Sequence, residues 1–156
     1  MPVIEEDIFD NSYTYRQHEL GLTHGRLCFD PHISHYRESG TVTFDLLIGF
    51  RNSDWVFTNK IIFNCDRKNF TLKNFIKLSN SRTVLTGGDI MEVYLEIIGN
   101  DVDLVENILS AKKVRVRFDG QKSHLDRTLS KQDIQNLKKC YECYKKLVAV
   151  EEKWER

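Results

Sequence analysis

The chain has 156 residues, with 23 basic and 23 acidic side chains. That is near the size of one domain, enough to bury roughly 70% of the surface that the unfolded form exposes. A composition of 40% hydrophobic and 29% charged residues, with two prolines and eight glycines, excludes disordered, collagenous and fibrous classes. No run approaches the ~18 apolar residues of a membrane span. The start, Met1-Pro2-Val3-Ile4-Glu5-Glu6-Asp7, is acidic and lacks a basic segment followed by an apolar run. A single domain over residues 1–156, cytoplasmic and without a membrane span, is therefore expected.

In the first 40 residues, segments 12–20 and 25–29 read as strands, with Tyr13 and Tyr15 on a shared face, and residues 30–40 as a polar loop bounded by Pro and Gly. Val42, Phe44, Leu46, Ile48 and Phe50 then alternate with Thr41, Thr43, Asp45, Leu47 and Gly49, the period of a strand with one well-buried face. After the turn composition Arg51-Asn52-Ser53-Asp54, residues Trp55, Phe57, Asn59, Ile61, Phe63 and Cys65 fall on one side of a second strand, and a hairpin between the two is expected. Asp66-Arg67-Lys68-Asn69 reads as the next turn, leading into a short strand at Phe70-Thr71-Leu72.

Thr83-Val84-Leu85-Thr86 ends at Gly87-Gly88, and Met91, Val93, Leu95 and Ile97 alternate with Glu92, Tyr94 and Glu96 in another half-buried strand. Asn100 or Asp101 can cap a short helix carrying Val102, Val105, Ile108 and Leu109. Val114, Val116 and Phe118 then point one way and Lys113, Arg115 and Arg117 the other, before Asp119-Gly120 turns the chain into a last strand over 123–128.

The sharpest local signal is Leu129-Ser130-Lys131-Gln132-Asp133-Ile134. Ser130 reads as an N-cap, Asp133 as its capping-box partner, and Leu129 with Ile134 as a hydrophobic staple. A helix from 131 to about 152 follows, with Ile134, Leu137, Cys140, Tyr141, Tyr144, Leu147 and Val148 as its apolar stripe. The fold class expected is mainly β: an antiparallel sandwich or strongly curved sheet of about eight or nine strands, with a short helix and a long C-terminal amphipathic helix.

Several stretches between Thr41 and Leu147 carry a resemblance. They are Ser53-Asp54-Trp55 after a strand, Gly87-Gly88 before another, Ala111, Val114-Arg115-Val116-Arg117-Phe118-Asp119-Gly120, and Leu129-Ser130 opening the last helix. In these the chain resembles a group of uncharacterised small bacterial β-sandwich proteins, many of them secreted or lipoproteins. The resemblance implies the sandwich fold and no activity. The acidic start does not match an exported member of that group, so the cytoplasm stays the expected location.

Motifs that would carry chemistry are few. His24, His32 and His35 fall close together around Asp30, and neutral imidazole is a common metal ligand. A metal-dependent enzyme built on this loop is the alternative reading, although no HExxH or zinc-finger spacing accompanies it. Cys140-Tyr141-Glu142-Cys143 has CxxC spacing but lies well inside a helix, away from the N-terminus that would lower a thiol pKa. With Cys28 and Cys65, these thiols are expected to be reduced, because a chain of this size builds a core without staples. Ser123, His124 and Asp126 are close only in sequence, and no GxSxG elbow is present. No cofactor is expected.

Charge is unevenly placed. Residues 1–110 carry 10 basic and 16 acidic side chains and residues 111–156 carry 13 and 7, so the two parts differ as −6 and +6. The expected function is a non-catalytic binding module that contacts an acidic protein partner or a second copy through Lys113, Arg115, Arg117, Lys122 and the polar side of the last helix. Nucleic acid is not expected, because net charge is zero and no nucleic-acid-binding motif accompanies the ribbon.

Overall fold

The computed structural model of the chain describes residues 3–7, 12–16, 26–72, 75–77 and 82–154. Ten strands and two helices occur among them: β1 (Val3–Asp7), β2 (Ser12–Arg16), β3 (Leu27–Tyr36), β4 (Val42–Asn52), β5 (Lys60–Cys65), β6 (Lys68–Thr71), β7 (Arg82–Val84), β8 (Ile90–Ile97), α1 (Val102–Ser110), β9 (Val114–Asp119), β10 (His124–Thr128) and α2 (Lys131–Trp154). All ladders are antiparallel. They form a six-stranded sheet in the order β1-β2-β3-β4-β8-β7 and a four-stranded sheet in the order β10-β9-β5-β6. The architecture is thus mainly β, two sheets with a short and a long helix.

Alternation along the strands builds the core between the sheets. Phe44, Leu46, Ile48 and Phe50 of β4 are fully buried and meet Ile61 and Phe63 of β5 and Val116 and Phe118 of β9 in one cluster. Edge-to-face ring contacts cross the interface, Phe50 on Phe118 at 4.8 Å and Phe29 on Phe63 at 6.4 Å. Three hydrophobic residues of α1, Leu104, Val105 and Ile108, close one side. Asp101 caps that helix, its carboxylate accepting the Leu104 N–H at 3.3 Å, while Val102, expected on the apolar stripe, is 44% exposed.

The long helix docks as its stripe predicts. Ser130 and Asp133 form a reciprocal capping box, each side chain accepting the other's backbone N–H at 2.9–3.0 Å. Leu137, Cys140 and Tyr141 are buried, and the rings of Tyr141 and Tyr144 lie nearly parallel to Phe44 at 5.8 and 5.3 Å. Near the far end, Glu151 pairs with His35 of β3 at 2.9 Å.

Three sequence expectations are corrected. First, residues 30–36 are not loop but the second half of β3, a strand paired on both sides in spite of Pro31. Asp30, His32 and Ser34 hid it, because a buried row of polar side chains does not read as a strand.

Second, β4 and β5 do not form a hairpin. Residues 53–59 carry the chain from one sheet to the other, and β5 begins only at Lys60. Phe57 sits at φ 53° in this segment, a left-handed conformation that a bulky side chain rarely adopts. Gly120 gives it room, since a Cβ there would lie 2.0 Å from the Val56 carbonyl oxygen.

Third, β8 faces the opposite way from its apolar pattern. Its register sets Glu92 opposite Phe50, Tyr94 opposite Ile48 and Glu96 opposite Leu46, so Glu92, Tyr94 and Glu96 point to the core side. All three are buried, while Ile97 is 47% exposed. The reason is the Glu92 carboxylate. Val56 and Phe57 donate their backbone N–H groups to its Oε2 at 2.8 and 3.0 Å, Thr58 donates to Oε1 at 2.9 Å, and the Tyr94 hydroxyl donates to Oε1 at 2.6 Å. Burial pushes this carboxyl up, but the hydrogen bonds from Thr58, Tyr94 and Val56 outweigh it and hold the group below the ordinary glutamate value.

Two outcomes follow from this packing. Glu92→Gln is expected to cost ~2–4 kcal/mol in denaturant melts at neutral pH, because a buried charged acceptor of backbone donors is lost. Since the folded pKa is depressed, the carboxylate's contribution is fully present above the unfolded-state value of about 4.3 and is lost as pH falls through the lowered folded value. The gap between the two proteins should therefore shrink on acidification. Leu137→Ala is expected to cost ~2–5 kcal/mol, and the half-buried Leu147→Ala less; equal stability of both variants with the parent would show that α2 does not dock.

Candidate functional site

The outer face of the four-stranded sheet carries the candidate site. Its registers place Asn69 beside Asn64, Asn64 beside Arg115, Ile62 beside Arg117, and Arg117 beside Asp126. Arg115 and Arg117 are both exposed, as their alternation with Val114, Val116 and Phe118 predicts.

The two arginines are not equivalent. Arg117 is spent on β10: its Nε and Nη2 donate to the two carboxylate oxygens of Asp126 at 2.7 and 2.9 Å. Bonds from Arg117 hold the Asp126 carboxyl below its usual range. No carboxylate lies within ion-pairing distance of Arg115 among the described residues.

At the start of β9 the tight turn between β5 and β6 is docked onto the chain leaving α1. Asp66 and Arg67 occupy the turn with φ of 47° and 81°, both left-handed, as a two-residue hairpin requires. The Asp66 carboxylate accepts the backbone N–H groups of Lys112 and Lys113 at 2.8 and 2.9 Å, and the Asp66 N–H donates to the Lys113 carbonyl at 3.2 Å. Those backbone donors keep the Asp66 carboxyl below its ordinary value.

This docking gathers Arg67, Lys112, Lys113 and Arg115 with Asn64 and Asp66 around an open depression of about 640 Å³. Arg67, Lys112 and Lys113, like Arg115, have no ion-pair partner among the described residues. A second depression, of about 290 Å³, continues along the face between Asn69, Arg115, Arg117 and Asp126.

Of the residues singled out from sequence, Lys113 and Arg115 come together, Arg117 is neutralised, and Lys122 lies in the turn after β9. At ~3.3 Å per residue the six residues of β9 set Lys122 on the order of 20 Å from Lys113. Arg67 and Lys112 join the site without having been singled out, because their convergence depends on which hairpin turn meets which loop.

His32 and His35 do not converge. His24 lies outside the described residues. His32 and His35 are three positions apart on β3 and so point to opposite faces. On one face His35 meets Glu151; on the other His32 Nε2 lies 3.5 Å from Asp45 Oδ2, which also accepts the hydroxyls of Ser34 at 3.3 Å and Thr43 at 3.2 Å. Burial raises the Asp45 carboxyl pKa, and His32 and the two hydroxyls oppose it. Ser34 donates to Asp45 and not to the imidazole, so this buried polar cluster is not arranged as a nucleophile with its base. No group of three or more His, Cys, Asp or Glu side chains is disposed to hold a metal among the described residues.

All four cysteines are free thiols. Burial drives the Cys140 thiol far above its usual value and, with Asp66, lifts Cys65 to about 11. CxxC spacing therefore places one inert thiol against the sheet and one half-buried thiol beside it. Brief alkylation of the native protein is expected to label Cys143 alone, with the other three labelled only after unfolding; native labelling at Cys140 would contradict its packing.

No protein-family model, curated protein or solved structure matches the chain. No helix among the described residues is long and apolar enough to cross a membrane.

Proposed function

We propose that the chain is a non-catalytic binding module that contacts an acidic partner through the outer face of its four-stranded sheet, at the end formed by Arg67, Lys112, Lys113 and Arg115. The observation that carries this reading is the charge count: four unpaired cations surround one carboxylate, Asp66, which is already committed to backbone donors. Like charges held this close repel one another, and an anion relieves that repulsion. Arg117 and Lys122 contribute less, the first being neutralised by Asp126 and the second lying at the other end of β9.

A separate partner is favoured over a second copy. The acidic part of the chain buries Asp30, Asp45, Glu92 and Glu96 in the six-stranded sheet, so it presents fewer carboxylates to a neighbouring copy than its sequence suggests. We place the module in the cytoplasm, in keeping with its four free thiols.

Binding to poly-glutamate, measured from about 50 to 500 mM salt, tests the proposal because exposed charges are screened over ~10 Å at 0.1 M. Affinity should fall steeply with salt, and Lys113→Glu with Arg115→Glu should abolish it while leaving thermal melting unchanged. Salt-independent binding, or binding unaffected by the reversal, would overturn the assignment. Light scattering over the same range should report a monomer.

A further inference from the structure

If the basic end of this face does bind an anion, as proposed above, its composition narrows the chemistry of the ligand. Every side chain lining the larger depression, Asn64, Asp66, Arg67, Lys112, Lys113 and Arg115, is polar or charged. None is aromatic. A nucleobase finds no ring to stack on there. Carbon of these same residues forms part of the wall, with the charged and amide groups around it, so charge and hydrogen bonding are the specific features it offers a ligand.

Its charge is also dense. With Asp66 ionised, four cations against one carboxylate leave an excess of three positive charges. A phosphate monoester carries about −1.5 to −2 with three acceptor oxygens, so about two such groups balance the excess. A carboxylate carries one charge and two oxygens, and three of them with their carbon skeleton would have to converge.

The donors suit phosphate in kind. Arg67 and Arg115 come from different elements and offer planar guanidinium forks, whereas Lys112 and Lys113 act as point charges. Asn64 gives one amide N–H to Asn69 at 2.7 Å and keeps its second. Arg67 is held in place at φ 81° by the docked turn, a conformation that costs on the order of 1–3 kcal/mol for a residue other than glycine.

We propose that this depression binds clustered phosphate groups on a small, non-aromatic molecule, a phosphorylated polyol or a short oligophosphate, either free or as the headgroup of a lipid. Arg67 and Arg115 form the forks, Lys112 and Lys113 balance the remaining charge, and the depression of about 640 Å³ has room for more than one phosphate.

Isothermal titration of the full chain at ~150 mM salt tests this, with tripolyphosphate and inositol hexakisphosphate as probes and citrate and poly-glutamate as carboxylate controls. Binding at one site per chain, at least about tenfold tighter for the phosphorylated probes than for citrate, is the expected result. Arg115→Lys should weaken the phosphorylated probes several-fold, and Lys113→Glu with Arg115→Glu should abolish their binding, with melting temperatures unchanged. Flotation with vesicles containing phosphatidylinositol bisphosphate, against vesicles with phosphatidylserine at equal charge, assigns the source: selective flotation supports the lipid headgroup, and its absence alongside tight binding of free probes supports a soluble ligand. If citrate and poly-glutamate bind as tightly as the phosphorylated probes, phosphate selectivity is overturned and the acidic-partner reading survives. No binding of any anion at ~50 mM salt overturns both. Phosphate binding that survives the reversal at Lys113 and Arg115 but is lost in Lys138→Glu with Lys139→Glu overturns this site in favour of α2.

Discussion

The Glu92 carboxylate is the point on which the two sheets depend. A sandwich needs its chain to leave one sheet and enter the other, and the connecting backbone gives up its ladder partners there. Residues 53–59 make that passage, and three consecutive N–H groups, those of Val56, Phe57 and Thr58, find their acceptor in a single side chain of β8. Tyr94 and Arg82 complete the bracket. Tyr94 donates to Glu92, and Arg82 donates to the Tyr94 hydroxyl at 3.3 Å and the Thr58 carbonyl at 3.2 Å. The Arg82 guanidinium also lies 5.2 Å from the centroid of the Phe57 ring. Phe57 pairs its left-handed backbone with a ring 54% exposed and stacked on Trp55 at 5.3 Å. An ionised group at the core therefore fixes an irregular segment at the surface.

That arrangement explains which parts of the fold were legible in the sequence. Where burial and polarity run together, the pattern gave the right answer: the β4 row from Phe44 to Phe50, the alternation of β9, and the Ser130–Asp133 cap with its helix all stand as read. Where a polar side chain is buried for its hydrogen bonds, the pattern misled. Glu92 and Glu96 made the buried row of β8 look solvent-facing, and Asp30, His32 and Ser34 made a central strand look like a loop. Hydrophobic periodicity treats a carboxylate as outward by default and has no means of knowing that backbone donors wait for it.

The candidate site divides along the same line. Lys113, Arg115 and Arg117 share a face because a strand forces every second side chain to one side, and that was readable. Which of them remains unpaired was not, since Asp126 reaches Arg117 only through the pairing of β9 with β10. Arg67 and Lys112 were invisible because they come from a hairpin turn and a helix-to-strand junction. They are brought together by one carboxylate, Asp66, over a separation of about 46 residues along the chain.

A common device underlies these points. Glu92, Asp66, Asp101 and Asp133 each turn a carboxylate onto backbone N–H groups, at the sheet crossover, the turn beside β9, and the starts of α1 and α2. Asp30, Asp45 and Glu96 are buried besides. Seven of the 23 acidic side chains are thus buried or turned onto the backbone of the fold, whereas no lysine or arginine is among the buried residues described. Zero net charge in the sequence therefore does not mean a neutral surface. Glu92, Asp66, Asp101 and Asp133 act at short range on backbone donors, while exposed cations act outward over a Debye length of ~10 Å. Part of the unevenness of −6 and +6 along the chain therefore lies in carboxylates taken inside, and at the end of β9, where Asp66 is already engaged by backbone donors, cations collect without an ion-pair partner among the described residues.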